Sequence, residues 1–207
     1  MLLMRSVTAS PTTSSTPGLM TPIRPLLGLR PCPRTRRRVH RSRPEEVALT
    51  ESTTDGINRI ATAVDFDPGD VVVRTDLEYP AGTLPWQQLE AQDVDVRVVE
   101  TTDGRVDIDA YTEAVVDARL VCFSAVTWTH GTQLPVSELV DIAAAAGAFT
   151  PVDAVQVPGQ LPMDVQELEA DAVAAAGHKW LLGPWGAGFL YVFDRSTGEI
   201  ALREQTV

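Results

Sequence analysis

The sequence predicts an α/β fold, a mostly parallel mixed sheet with helices on both faces. Two observations carry this expectation. Short apolar runs of strand length alternate with amphipathic segments of about ten residues, the pattern of βαβ units. The breaks between them hold helix caps, prolines and glycines where element ends need them, and no internal repeat points to a solenoid.

The elements follow in order. Residues 47–50 read as a short strand end, and Ile57, Ile60, Ala61 and Val64 recur at helical spacing behind the capping run Ser52-Thr53-Thr54-Asp55. Residues 70–75 form a buried strand, and 83–91 a helix with Pro85 in its first turn. Residues 94–99 alternate like a strand, Asp109 caps a helix running to Val116, and 120–126 are a strand. Pro135 opens a helix that Gly147 closes, and strands are expected at 148–153, 171–176 and 186–193. In parallel sheets ligands gather at the carboxyl ends of strands, so Asp153 and Lys179 are expected on one rim.

At 207 residues and 44% hydrophobic content, the chain holds one large domain, or a domain with an appendage. No apolar run reaches the length of a membrane span. Cys32 and Cys122 lie far apart without metal-type spacing, which fits a reducing cytoplasm. The net charge of −11 hides a break: +9 over residues 1–43, −20 over the rest. That acidic body argues against nucleic acid binding and fits a protein kept soluble in concentrated salt; an acidic face for a basic partner is the rival reading.

Residues 1–43 are rich in Ser, Thr, Pro and Arg, contain no Asp, Glu or Lys, and show no apolar period. The abrupt change near Pro44 favours an aberrant, out-of-frame segment over a disordered tail or a targeting sequence with Arg34 to Arg43 as a basic arm. On that reading the functional protein begins around Pro44.

Among 17 basic residues, Lys179 is the sole lysine. A desolvated lysine amine can lose its proton and form a Schiff base, which arginine cannot. Two other features are expected on its rim. Ser52-Thr53-Thr54-Asp55-Gly56 sets hydroxyls and free backbone N–H groups at a helix N-terminus, suited either to capping or to a phosphate. Asp153-Ala154-Val155-Gln156 places a carboxylate and an amide after an apolar strand. A phosphate cradle, a carboxylate for a pyridinium nitrogen and an imine-forming lysine are the minimum a protein supplies to pyridoxal 5'-phosphate. Three scattered histidines, His40, His130 and His178, make no metal site, and neither nucleotide-loop spacing nor a hydrolase elbow is present.

From about Pro44 to Thr197 the chain resembles the large, cofactor-binding domain of the class V aminotransferase family, pyridoxal-phosphate enzymes of fold type I that include cysteine desulfurases. Thr53-Thr54-Asp55-Gly56-Ile57-Asn58 is similar to its Thr-Thr-Glu-Gly-Ile-Asn stretch, which implies Thr53 and Thr54 at the cofactor phosphate. Leu77-Glu78-Tyr79-Pro80 falls where the family places a ring-stacking residue, usually histidine, which implies Tyr79 over the ring. Val152-Asp153-Ala154-Val155-Gln156 implies Asp153 on the ring nitrogen and Gln156 near the phenolic oxygen. Gly177-His178-Lys179 implies Lys179 as the catalytic Schiff-base lysine, with His178 beside the phosphate. The stretch from Gly183 to Val192 is similar to the family's Gly-Pro-x-Gly-x-Gly-x-Leu-Tyr-Val.

Two departures bear on the reaction. Trp128 stands where desulfurases commonly place an asparagine, and Ala176 where a serine often contacts the phosphate. A tryptophan in that loop resembles the epimerase-like branch. Family members run to nearly twice this length, so the resemblance implies that residues 44–207 are an incomplete large domain whose C-terminal small domain, with its carboxylate-gripping arginine, is missing. It implies an amino acid substrate and a homodimer in the intact form, while the cysteine usage and the lack of a long apolar run point to a cytoplasmic location and no membrane. The expected function is transamination or a related reaction at the α-carbon; the alternatives are a cysteine desulfurase, an epimerase or lyase of the same family, or a non-catalytic remnant that only binds cofactor or a partner subunit.

Overall fold

The computed structural model describes Ser42 and residues 46–193. Expectations for residues 1–41, Cys32 and His40 among them, and for the chain beyond Phe193 lie outside the described residues.

Seven strands form one sheet in the order β1-β9-β8-β7-β6-β2-β3: β1 (Val47–Thr50), β2 (Val71–Thr75), β3 (Asp95–Val99), β6 (Ala118–Ser124), β7 (Pro151–Asp153), β8 (Ala172–Ala176) and β9 (Gly188–Val192). The run from β3 to β8 is parallel throughout, while β9 runs antiparallel to both β8 and β1. A separate hairpin of β4 (Thr101–Thr102) and β5 (Arg105–Val106) turns at Asp103 and Gly104, both at positive φ. The expected α/β class and mostly parallel mixed sheet are therefore what the chain forms.

Two cores flank the sheet. On one face α1 (Thr53–Ala63) and α2 (Leu84–Gln87) bury Ile57, Ile60 and Trp86 against Val72, Leu120 and Ala174. On the other, α3 (Ile108–Ala114) and α4 (Val136–Ala145) bury Tyr111, Leu139 and Val140 against Val73, Val121 and Phe123, beside the short α5 (Val165–Leu168). The alanine-rich β8 lets α1 approach closely: a Cβ at Gly56 would stand 3.1 Å from the Ala174 Cβ. The small residues of these two stretches thus serve packing as well as chemistry.

The connection leaving β2 passes to α2 on one face, and that leaving β6 passes to α4 on the other. Because β2 and β6 are neighbours, their carboxyl ends bound a crevice of the kind where doubly wound sheets hold ligands.

Several boundaries moved. The helix expected over 83–91 is a single α-helical turn between two 3-10 turns, Pro80–Gly82 and Gln88–Gln92, closed by Asp93 in the left-handed region. Asp107, rather than Asp109, caps α3, its carboxylate accepting from the Asp109 and Ala110 amides. Two acidic residues in succession leave the sequence ambiguous, and only the backbone turn decides which one reaches the free N–H groups. The strand expected over 148–153 pairs regularly only at Pro151–Asp153, with Phe149 joined to Leu120 by an isolated bridge.

Candidate active site

Every stretch singled out in the sequence leaves the same edge of the sheet. The carboxyl ends of β1, β2, β6, β7 and β8 are Thr50, Thr75, Ser124, Asp153 and Ala176, and antiparallel β9 starts there at Gly188, opposite both Thr50 and Ala176. The turns that follow carry Ser52 to Gly56, Leu77 to Gly82, Ala125 to Gly131, Ala154 to Gln156, and Gly177 to Trp180.

Asp153 is the electrostatic centre. It ends β7 opposite Ser124 on β6 and Ala174 on β8, and the residue is 3% exposed. One oxygen accepts from the Val155 amide at 2.8 Å. Burial, reinforced by the nearby Glu78 carboxyl and opposed by the Val155 bond and the Lys179 charge, pushes its pKa up to about 7. Such a carboxyl needs a cationic partner to ionise comfortably. Lys179, on the turn after neighbouring β8, is exposed.

The Lys179 turn is anchored through its neighbours. Trp180 Nε1 donates to Gln156 Oε1 at 2.9 Å, which ties the turn after β8 to the turn after β7. Gly159, at φ +96°, lets the β7 turn pass under Trp180; a Cβ there would meet the Trp180 carbonyl oxygen at 2.3 Å. His178 stacks on Trp185 with ring centroids 3.8 Å apart, 12° from parallel.

At the other end of the rim, Ser52 caps α1 by accepting from the Asp55 amide. Thr53 is buried and Thr54 exposed. Among the described residues, Thr50 Oγ1 and Thr53 Oγ1 here, and His178 Nδ1 on the turn after β8, are buried without a hydrogen-bond partner in the protein. Orphaned buried polar atoms beside a helix N-terminus fit a phosphate, and a buried carboxyl awaiting a cation fits a protonated pyridine nitrogen. The residues present therefore fit pyridoxal phosphate. Tyr79, half exposed, meets Trp128 edge to face at 5.4 Å.

Sequence reasoning missed Glu78. In sequence it is only the neighbour of Tyr79, yet it is nearly fully buried between β2 and β6, and burial raises its pKa against hydrogen bonds from Ser124 and Thr75 that lower it. The available signal was a carboxylate inside an apolar turn at a strand end, which 28 acidic residues made hard to single out. Among the described residues no cluster of three or more potential ligands could hold a metal, and no helix is long and apolar enough to cross a membrane.

Comparison with known proteins agrees with this architecture. The profile of the aminotransferase class-V family matches residues 34–202. The chain belongs to that pyridoxal-phosphate-dependent family.

Among its relatives, a probable cysteine desulfurase of Methanothermobacter thermautotrophicus is 39% identical over 158 residues, 75% of this chain and 40% of that protein. A cysteine desulfurase of Haloferax volcanii is 39% identical over 71% of this chain and 36% of that protein. The apo structure of a cysteine desulfurase from Thermococcus onnurineus superposes with a TM-score of 0.74 at 31% identity, covering 77% of this chain and 41% of that one. The chain thus spans about 40% of the length of the relatives it matches.

Proposed function

We propose that residues 44–207 are the cofactor-binding large domain of an enzyme that uses pyridoxal phosphate to act on an amino acid, by transamination or a related α-carbon reaction. The carrying observation is that a buried Asp153, its pKa raised by desolvation, and an exposed Lys179 follow the carboxyl ends of adjacent strands β7 and β8. When bound, the cofactor withdraws electrons from the substrate α-carbon. Asp153 holds a proton on the ring nitrogen, because a buried carboxylate is stable only beside a cation. Lys179 anchors the cofactor covalently through Nζ and carries the proton at the α-carbon. The first turn of α1 with Thr53 and Thr54, together with His178, receives the phosphate; Gln156 orients the ring oxygen while held by Trp180; Tyr79 covers the ring. The cytoplasmic setting and the homodimer belong to this reading.

Trp128 favours an aminotransferase or epimerase-like reaction over desulfuration. It occupies the loop after β6 and packs edge to face with Tyr79, so an indole rather than an amide stands at that point of the rim. The cysteine desulfurase relatives keep desulfuration as the alternative.

The test is borohydride trapping. The full chain in molar salt with pyridoxal phosphate should yield one reduced adduct mapped by peptide mass to Lys179, and Lys179→Ala should yield none while melting at the same temperature. An adduct elsewhere, or none in the wild type, overturns the reading. An adduct with no conversion of any amino acid favours the cofactor-binding remnant.

A further inference from the structure

The crevice between β2 and β6 holds a protein carboxyl. Glu78 Oε1 accepts from Thr75 Oγ1 at 2.7 Å and from the Ser124 amide at 3.0 Å, and Oε2 lies 2.6 Å from Ser124 Oγ. Thr75 is the last residue of β2 and Ser124 the last of β6, so one side chain joins two strand ends. Ser124 in turn stands opposite Asp153, and the Ala125 amide donates to the Asp153 carbonyl at 2.8 Å. The chain after Glu78 folds back over it. Gly82 donates to the Tyr79 carbonyl at 2.8 Å, and a Cβ on Gly82 would sit 3.0 Å from Glu78 Oε2. Gly82 leaves room for the carboxyl, and the carboxyl holds down the turn that presents Tyr79.

We propose that Glu78 is a positioning residue: its buried carboxyl bolts the turn carrying Tyr79 to the ends of β2 and β6, beside Asp153, and so fixes the Tyr79 and Trp128 rings over the cofactor site. This rests on the pyridoxal-phosphate reading. Glu78 is not itself catalytic, since both of its oxygens are engaged and it is 7% exposed. Its effect passes through Tyr79, the next residue, whose ring is placed by the backbone of that turn and by the edge contact with Trp128. The charged and titratable groups facing Glu78 are Arg74 from β2, Asp153 from β7 and Cys122 from β6. Glutamine can replace the acid here, its oxygen accepting from Thr75 and the Ser124 amide while its NH2 donates to Ser124 Oγ. Alanine strands all three partners.

The experiment compares Glu78→Gln and Glu78→Ala, each with Tyr79 intact and with Tyr79→Ala, in the full chain in molar salt. Hydrogen exchange of residues 75–84 is read without cofactor. Glu78→Ala should speed it about tenfold and Glu78→Gln less than about threefold. Pyridoxal phosphate affinity, read from the visible band of the lysine-bound cofactor, should fall about tenfold in Glu78→Ala and recover in Glu78→Gln; on the Tyr79→Ala background Glu78→Ala should cost less than about twofold more. Unchanged exchange in Glu78→Ala, or an equal affinity loss on both backgrounds, overturns the proposal. Should Glu78→Ala fail to fold, Ser124→Ala removes one bond to the carboxyl, and Thr75→Val removes one bond to it together with the one from the Leu77 amide, so each must speed exchange of residues 79–84; if neither does, the clamp is wrong. A wild type without the visible band sinks the cofactor reading alone, and the exchange measurement still decides the clamp.

Discussion

Asp153→Asn should make the protein without cofactor more stable at pH 8 while abolishing tight cofactor binding. Burial lifts the Asp153 pKa from 3.8 to about 7. A carboxyl with a raised folded pKa holds its proton more tightly folded than unfolded. Its ionisation therefore costs nothing below pH 4, grows as the pH rises from 4 to 7, and is fully present above 7. Three units at 1.36 kcal/mol each set a ceiling of about 4 kcal/mol. Asparagine keeps the shape and the acceptor for the Val155 amide and carries no charge to desolvate. Urea unfolding at fixed molar salt from pH 5 to 8, followed by tryptophan emission, measures this. High salt screens the acidic surface but leaves the carboxyl of a 3%-exposed residue unscreened, so the difference between the two proteins isolates the buried group. The wild type should lose stability across that range, and the variant should lose about 2–3 kcal/mol less, since two of the three units lie above pH 5. Identical pH slopes would refute the assignment of a strained, protonatable Asp153, and so would a variant less stable than the wild type at pH 8.

Gly159→Ala should move the Lys179 turn, because its Cβ would stand 2.3 Å from the Trp180 carbonyl at a φ of +96°. The expected cost is ~1–3 kcal/mol in chemical unfolding, with weakened borohydride trapping at Lys179; an unchanged melting temperature and full trapping would contradict it. The charge of −20 on residues 44–207 predicts that the melting temperature rises steeply from 0.1 to 2 M KCl, as the Debye length falls from about 10 Å to below 3 Å. Equal melting in both salts would leave the acidic surface to a basic partner instead.

Much of this protein is legible in one dimension. The helix behind Ser52, the strand before Asp153 and the alanine strand before Lys179 are set by local periodicity, caps and turn residues, which act over a few positions. Strand-end placement of Asp153 and Lys179 follows from alternating strands and helices, because parallel neighbours point their carboxyl ends one way. Local signals also mislead within their own range: Asp107 and Asp109 are equivalent caps to a reader of sequence, and Pro80 and Pro85 break a stretch whose composition reads as one helix.

What the tertiary structure alone decided is which strand ends touch. The neighbouring of β2 and β6 brings Ser124 onto Glu78 across 46 residues and makes that acidic residue a buried clamp beside Asp153. The same folding puts Gln156 under Trp180, Tyr79 against Trp128 and Gly159 beneath the lysine turn. Periodicity tells a residue which face of its own element it occupies; it carries no information on the neighbour across the sheet, and burial, which sets the charge state of Glu78 and Asp153, exists only once that neighbour is in place.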